Sequence, residues 1–163
     1  ALNPEIAIEV LTPDFLDDDQ AIDAVLAAHP HIFTHNLETV RRLTPDVRHR
    51  ATYDRSLSVL RKVKSKCGAG IYTKSGLMLG LGEREDEVLT AMADLRQANC
   101  DILTLGQYLQ PTLKHLPVLE FVTPEKYTEL GVQARGLGFV HVASGPLVRS
   151  SYHADEFTRP SVR

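Results

Sequence analysis

Cysteine and tryptophan are almost missing from this chain: its 163 residues include two cysteines, Cys67 and Cys100, and no tryptophan. Two cysteines so far apart match neither a disulfide framework nor a short metal-binding spacing. No run of about 18 apolar residues is available to span a bilayer, and the opening residues, ALNPEIAIEV, lack the charged-then-apolar plan of a signal peptide. An excess of either charge is missing too. With a formal net charge of -3 and 24% charged residues, no basic field argues for nucleic acid and no cationic amphipathic stretch for a membrane surface. Small molecules or proteins are the expected partners, and a reducing, cytoplasmic compartment the expected location. No repeat, low-complexity tract or Pro/Gly/Ser linker divides the sequence, and 43% hydrophobic residues over this length suffice for one domain with a real core. The chain begins at Ala1, without an initiator methionine, and enters a strand-like segment within a few residues. A fragment is expected to begin in this way.

Short runs rich in Ile, Leu and Val alternate with segments of helical period. Strands are expected at 6–11, 31–34, 71–79, 102–105 and 139–143, and helices at 18–28, 38–43, 53–66, 84–97 and from Pro124 to the Gly136/Gly138 pair. The helix over 84–97 has the clearest pattern. Val88, Leu89, Met92 and Leu95 make one apolar stripe, and Glu85 and Asp86 suit its first turn. Pro124 sits where a helix start tolerates a missing N–H. Strands alternating with helices predict an α/β fold of parallel βα units, either an open doubly wound sheet or part of a barrel. Periodicity does not choose between them.

In both architectures ligands sit beyond the C-terminal ends of the strands, and here those ends are polar. Asn36 and Glu38, two apart after an apolar strand, point the same way in an extended segment and suit a pair of vicinal hydroxyls such as those of a ribose. Alternatively, Asn36 caps the next helix and Glu38 lies in its first turn. The run Gly76-Leu-Met-Leu-Gly80-Leu-Gly82-Glu83 lets backbone approach a flat ligand, or is simply a tight turn with Glu83 near a helix start. Its spacing fits neither a phosphate-binding loop nor a dinucleotide fingerprint. Lys74 inside an apolar strand needs an anion or a wet cavity, unless the strand starts later and leaves it exposed. Gln107 and Tyr108 offer ligand-positioning groups, although a tyrosine ring is more often core. The dense segment Arg149-Ser-Ser151-Tyr-His-Ala-Asp155 is not a catalytic triad, because no nucleophile elbow surrounds either serine. On composition it reads as a solvated tail. His29, His31 and His35 lack the spacing of a zinc site.

Taken together, HNLETV, KSGLMLGLGE, GQYLQP and GPLVRSSYHA resemble the lipoyl synthases, radical S-adenosylmethionine (SAM) enzymes, across essentially the whole chain. The resemblance implies that residues 1–143 form the later part of a partial TIM-type radical SAM barrel and that 144–163 form a tail carrying a cluster ligand. It implies SAM contacts at Asn36, Glu38, Gly80, Glu83, Gln107 and Tyr108, with Met78 replacing the isoleucine of the family's G-x-I-x-G-x-x-E pattern. Ser151 matches the serine that ligates an auxiliary 4Fe-4S cluster, an oxygen ligand that binds iron less firmly than thiolate. Lys74 and Arg149 would orient substrate or cluster.

The implied reaction inserts sulfur at C6 and C8 of an octanoyl group, using SAM and two 4Fe-4S clusters. An octanoylated lipoyl domain or H protein would be the substrate, with iron-sulfur carrier and electron donor proteins as further partners. The location would be the cytoplasm, or a mitochondrion or plastid in a eukaryote. This chain departs from the family in lacking the CxxxCxxC motif and the auxiliary-cluster cysteines, so alone it is expected to be inactive. Another radical SAM sulfur-inserting enzyme, of the biotin synthase kind, and a non-catalytic half-barrel binding module are the alternatives.

Overall fold

A computed structural model of the protein describes residues 6–151. Five strands, β1 (Glu9–Leu11), β2 (Ile32–Thr34), β3 (Tyr72–Leu79), β4 (Ile102–Gln107) and β5 (His141–Ser144), form one sheet in the order of the sequence. Every neighbouring pair is parallel. The helices are α1 (Asp19–Leu26), α2 (Thr44–Val47), α3 (Tyr53–Cys67), α4 (Glu85–Gln97) and α5 (Pro124–Gly136).

The side chains decide between the two architectures. Alternate residues of each strand face opposite ways, and one face packs against the helices. Val10 and Phe33 meet Ile22 and Leu26 of α1 and Val59 and Val63 of α3, while Leu77, Leu79, Leu103, Leu105 and Val142 pack with Leu57, Leu60, Met92, Leu95 and Leu130. All the helices therefore cover a single face. A doubly wound sheet has helices on both faces and a reversal of strand order, so this sheet is a sector of a singly wound barrel, an α/β fold. The opposite face carries Glu9, Thr34, Lys74, Gly76, Thr104 and Gly106.

Local chemistry sets the element ends. Thr52 accepts from the amide of Arg55 to start α3, and Thr123 accepts from that of Lys126 to start α5 behind Pro124 at its first position. At α4 the Glu87 carboxylate accepts from the Arg84 amide and also pairs with Arg42, which holds it down at about 2. Gly138, at φ +91, follows α5 in a conformation that suits glycine.

The sequence expectation fails at 38–43, where no helix forms. The Glu38 amide donates to the Gly76 carbonyl and its own carbonyl accepts from the Met78 amide, so this segment extends the sheet pairing past β2. Helix begins only at Thr44, with Pro45 in its first turn. The strand expected over 6–11 is shorter, and the last strand runs to Ser144 instead of ending at residue 143.

Candidate functional site

A cleft of about 470 Å³ lies at the C-terminal ends of the strands, on the face away from the helices. Asn36 and Glu38 enter it from the end of β2, Gly76 and Met78 from β3, Thr104 and Gly106 from β4, and Arg149 and Ser150 from the segment after β5. Small residues make its floor. A Cβ added at Gly76 would sit 2.7 Å from Thr104 Oγ1 and 3.2 Å from Asn36 Oδ1, and one at Gly106 would collide with the Val148 carbonyl.

Asn36 and Glu38 are held by backbone pairing. The His35 amide donates to the Lys74 carbonyl, the Leu37 amide to Ser75 Oγ, and the Glu38 amide to the Gly76 carbonyl. Glu38 has φ +71, a left-handed conformation that costs a side-chain-bearing residue about 1 kcal/mol or more. No helix follows to be capped, so the capping alternative for Asn36 is excluded. Its Oδ1 is buried without a hydrogen-bond partner, while its side chain hydrogen-bonds the Glu38 carboxyl. Burial pushes the Glu38 carboxyl above the usual carboxylate range, against the opposing pull of Asn36 and of the Arg48 charge. A buried acceptor with no partner beside a desolvated carboxyl is costly unless something supplies donors. Vicinal hydroxyls would supply them.

The strand ends of β3 and β4 are arranged differently. Gly80 and Gly82 both have positive φ, at +103 and +93. The Glu83 carboxylate folds back and accepts from the amides of Gly80 at 2.6 Å and Leu81 at 2.9 Å. Gln107 is buried, with its side-chain nitrogen donating to the carbonyls of Tyr108 and Glu120 and its oxygen accepting from the Val122 amide at 3.0 Å. Tyr108 lies in the main core and donates to the Leu116 carbonyl. Of the six residues matched to SAM contacts, Asn36, Glu38 and Gln107 border the cleft and Gly80, Glu83 and Tyr108 do not. The Gln107 amide is occupied by its own chain.

Lys74 is fully buried in the middle of β3, so it is not the exposed residue that a later strand start would give. Its Nζ lies 3.0 Å from the Glu9 carboxylate, which also accepts from Thr34 Oγ1 at 2.7 Å. Arg149 extends over Gly106 and donates to the carbonyls of Val148 and Pro146. Ser151 is exposed, in the turn just past the cleft-lining Ser150. Tyr152, His153 and Ala154 of the same motif lie outside the described residues.

Neither cysteine suits a cluster. Cys100 is completely buried, its thiol donates to the carbonyls of Thr73 and Ile102, and burial pushes it up to about 12. Cys67 ends α3, away from the cleft. Among the described residues no three His, Cys, Asp or Glu side chains are grouped to hold a metal ion, and no helix is long and apolar enough to cross a membrane. Sequence reasoning did not select Thr104, Gly106 or Ser150. The first two point into the cleft only because of strand register.

Comparison with known proteins agrees with this architecture. The Radical SAM superfamily model matches residues 1–95. The lipoyl synthase of Flavobacterium psychrophilum is 56% identical over 156 residues, covering 95% of this chain and 53% of that protein. Lipoyl synthase 2 of Gloeobacter violaceus is 58% identical over 156 residues, covering 96% and 54%. The lipoyl synthase of Caldanaerobacter subterraneus is 54% identical over 155 residues, covering 93% and 53%. The chain thus spans about half the length of the curated relatives it matches. With the family match running through β1, β2, β3 and most of α4, and the strands wound as one side of a barrel, this chain belongs to the radical SAM superfamily.

Proposed function

We propose that the chain is part of a lipoyl synthase and supplies the wall of the active-site cleft that receives the nucleoside of SAM. The observation that carries this reading is the buried, partnerless Asn36 Oδ1 beside the desolvated Glu38 carboxyl. Their acceptors suit ribose hydroxyls, and Gly76 and Gly106 carry no side chain that would crowd Asn36, Thr104 and the Val148–Arg149 segment at the edge of the cleft. Arg149 is the cation of the cleft rim and suits an anionic group of SAM or substrate. Lys74 is paired with Glu9 deeper in the sheet, and reaches a substrate carboxylate only if that pair opens.

When bound, SAM and iron-sulfur clusters supply radical chemistry, with hydrogen removal from C6 and C8 of a protein-bound octanoyl group and delivery of sulfur to those carbons. The cysteines of this chain do not fit a cluster, so cluster thiolates belong to the remaining length of the whole protein. Ser151, exposed next to the cleft rim, is the proposed oxygen ligand of the auxiliary cluster. The task of the chain is to hold the nucleoside, shape the cavity and keep water from it. By itself it is inactive. The substrate would be an octanoylated lipoyl domain or H protein, with the iron-sulfur carrier and electron donor as further partners.

Completing the chain with the N-terminal part of the Flavobacterium psychrophilum relative, under strict anaerobiosis, tests the reading. Iron uptake and thiolation of an octanoylated lipoyl domain are expected, and the absence of both overturns it. In the same protein Ser151→Ala should spare SAM cleavage more than sulfur insertion. Equal loss of the two would remove Ser151 as the auxiliary ligand.

A further inference from the structure

Behind the Asn36 and Glu38 segment runs a polar network that does not itself enter the cleft. One nitrogen of Arg48, Nη1, donates to the Asn36 carbonyl at 2.9 Å and to Ser56 Oγ at 2.8 Å, which engages both of its hydrogens. Ser56 is fully buried on α3. Its oxygen is 3.0 Å from His35 Nε2, and His35 Nδ1 is 3.0 Å from the Thr12 carbonyl. A carbonyl only accepts, so Nδ1 carries the proton and Nε2 accepts from the Ser56 hydroxyl. Burial pushes the His35 imidazole down, toward this neutral form. The network joins the loop after β1, the end of β2 and the first turn of α3.

We propose that Arg48 is the positioning residue of the nucleoside-binding pair, fixing Asn36 through its carbonyl and keeping Glu38 ready to accept hydrogen bonds from hydroxyls through its charge. This rests on the reading of Asn36 and Glu38 as the ribose holders. The two actions are separable. The carbonyl bond is geometric and depends on the reach and planar setting that place Nη1 between the Asn36 carbonyl and Ser56 Oγ, which a lysine ammonium does not reproduce, whereas the charge acts through space and any cation at that place supplies it. A protonated Glu38 has less acceptor capacity, and Arg48 opposes the burial that favours protonation. Arg149 is a cation that lines the cleft with Glu38, whereas Arg48 lies behind it. Asp14 and Arg55 act on Arg48 and on His35 from the far side.

The test measures binding of S-adenosylhomocysteine, which presents the same ribose without being cleaved, to the full-length protein by calorimetry from about pH 5 to about pH 8. Arg48→Gln should weaken binding on the order of tenfold at neutral pH and move the low-pH loss of affinity to higher pH, because Glu38 then holds its proton longer. Arg48→Lys should return that limb to the wild-type position while remaining weaker than wild type. Wild-type affinity in Arg48→Gln, or a uniform loss at every pH that lysine does not relieve, overturns the proposal. If the glutamine variant does not fold, Arg48→Lys decides alone: weaker binding with an unshifted limb supports the proposal, and wild-type affinity overturns it. Unchanged affinity in Asn36→Ala would instead overturn the ribose reading itself, while weakened Asn36→Ala with normal Arg48→Gln overturns only the role of Arg48.

Discussion

The end of β2 and the ends of β3 and β4 are equally polar as sequence, yet they do opposite things. After β2 the side chains of Asn36 and Glu38 face the cleft, while the backbone beneath them is bonded to β3. After β3 and β4 the polar side chains turn back onto their own chain, Glu83 onto the amides of Gly80 and Leu81 and Gln107 onto residues 108, 120 and 122. The difference arises from what lies beside each strand end. The segment 118–122 returns across β4 and presents bare carbonyls and amides to Gln107. Asn36 Oδ1 has no such neighbour. A polar strand end is free for a ligand only when no loop satisfies it first.

Gly80→Ala should break this comparison most severely. At φ +103 a side chain is strained, and its Cβ would collide with the Gln107 amide and the Glu120 carbonyl, neither of which can move without breaking the Gln107 latch. A loss of about 3 kcal/mol or more is expected, seen as a large drop in thermal midpoint. A wild-type midpoint would mean that the β3 end is not rigid. Gln107→Ala comes next, leaving the Glu120 carbonyl and the Val122 amide without their partner, at a cost of about 2 kcal/mol. Faster hydrogen exchange at Val122 would locate the loss, and unchanged protection there would contradict the latch.

Glu38→Gly should act in the reverse direction. Glycine adopts φ +71 freely and removes a half-buried carboxyl, so stability should rise by about 1 kcal/mol while nucleoside affinity falls. Denaturant midpoints with parallel calorimetry check both halves, and a destabilised variant would count against strain at this position. The smallest effect is in pH. Because the folded carboxyl of Glu38 sits above 4.5, the group is neutral in both states below that value and costs the fold nothing. As pH rises through 4.5 and then through the folded value, ionisation becomes unfavourable in the fold. Glu38→Gln should therefore match wild type near pH 4 and be the more stable protein at neutral pH. A gap of the opposite sign at neutral pH would remove burial as the cause.

Much of the fold was legible from period alone. The apolar stripe of 84–97 and the Pro124 start gave α4 and α5 nearly to the residue. The choice between open sheet and barrel was not legible, because it depends on which face each helix covers and local spacing does not record that. The absent helix at 38–43 was hidden for a related reason. Its residues tolerate a helix, but the Gly76 and Met78 backbone groups, far along the chain, capture Glu38 first. At the site, chemical type pointed to Asn36 and Glu38, and the family resemblance to Arg149. It could not separate them from Glu83, Gln107 and Tyr108, whose partners are brought in by folding. Thr104 and Gly106 carry no signal as residue types, since only strand register aims them at the cleft.

The buried pair of Lys74 and Glu9 bears on how β1 is aligned. A strand of three residues has too few apolar side chains to define its own pairing. Sliding β1 by one residue would turn Glu9 toward α1 and α3, among Phe33 and Val59, and put an apolar residue opposite the buried ammonium. The Glu9 carboxylate would then be taken from its ammonium partner and turned into an apolar layer, a penalty of several kcal/mol. Electrostatics thus serve as an alignment key for the edge of the sheet, and the β1 alignment is checked only once β3 is in place across β2. A sequence that replaced both residues with matched apolar ones could keep the stability and lose the alignment.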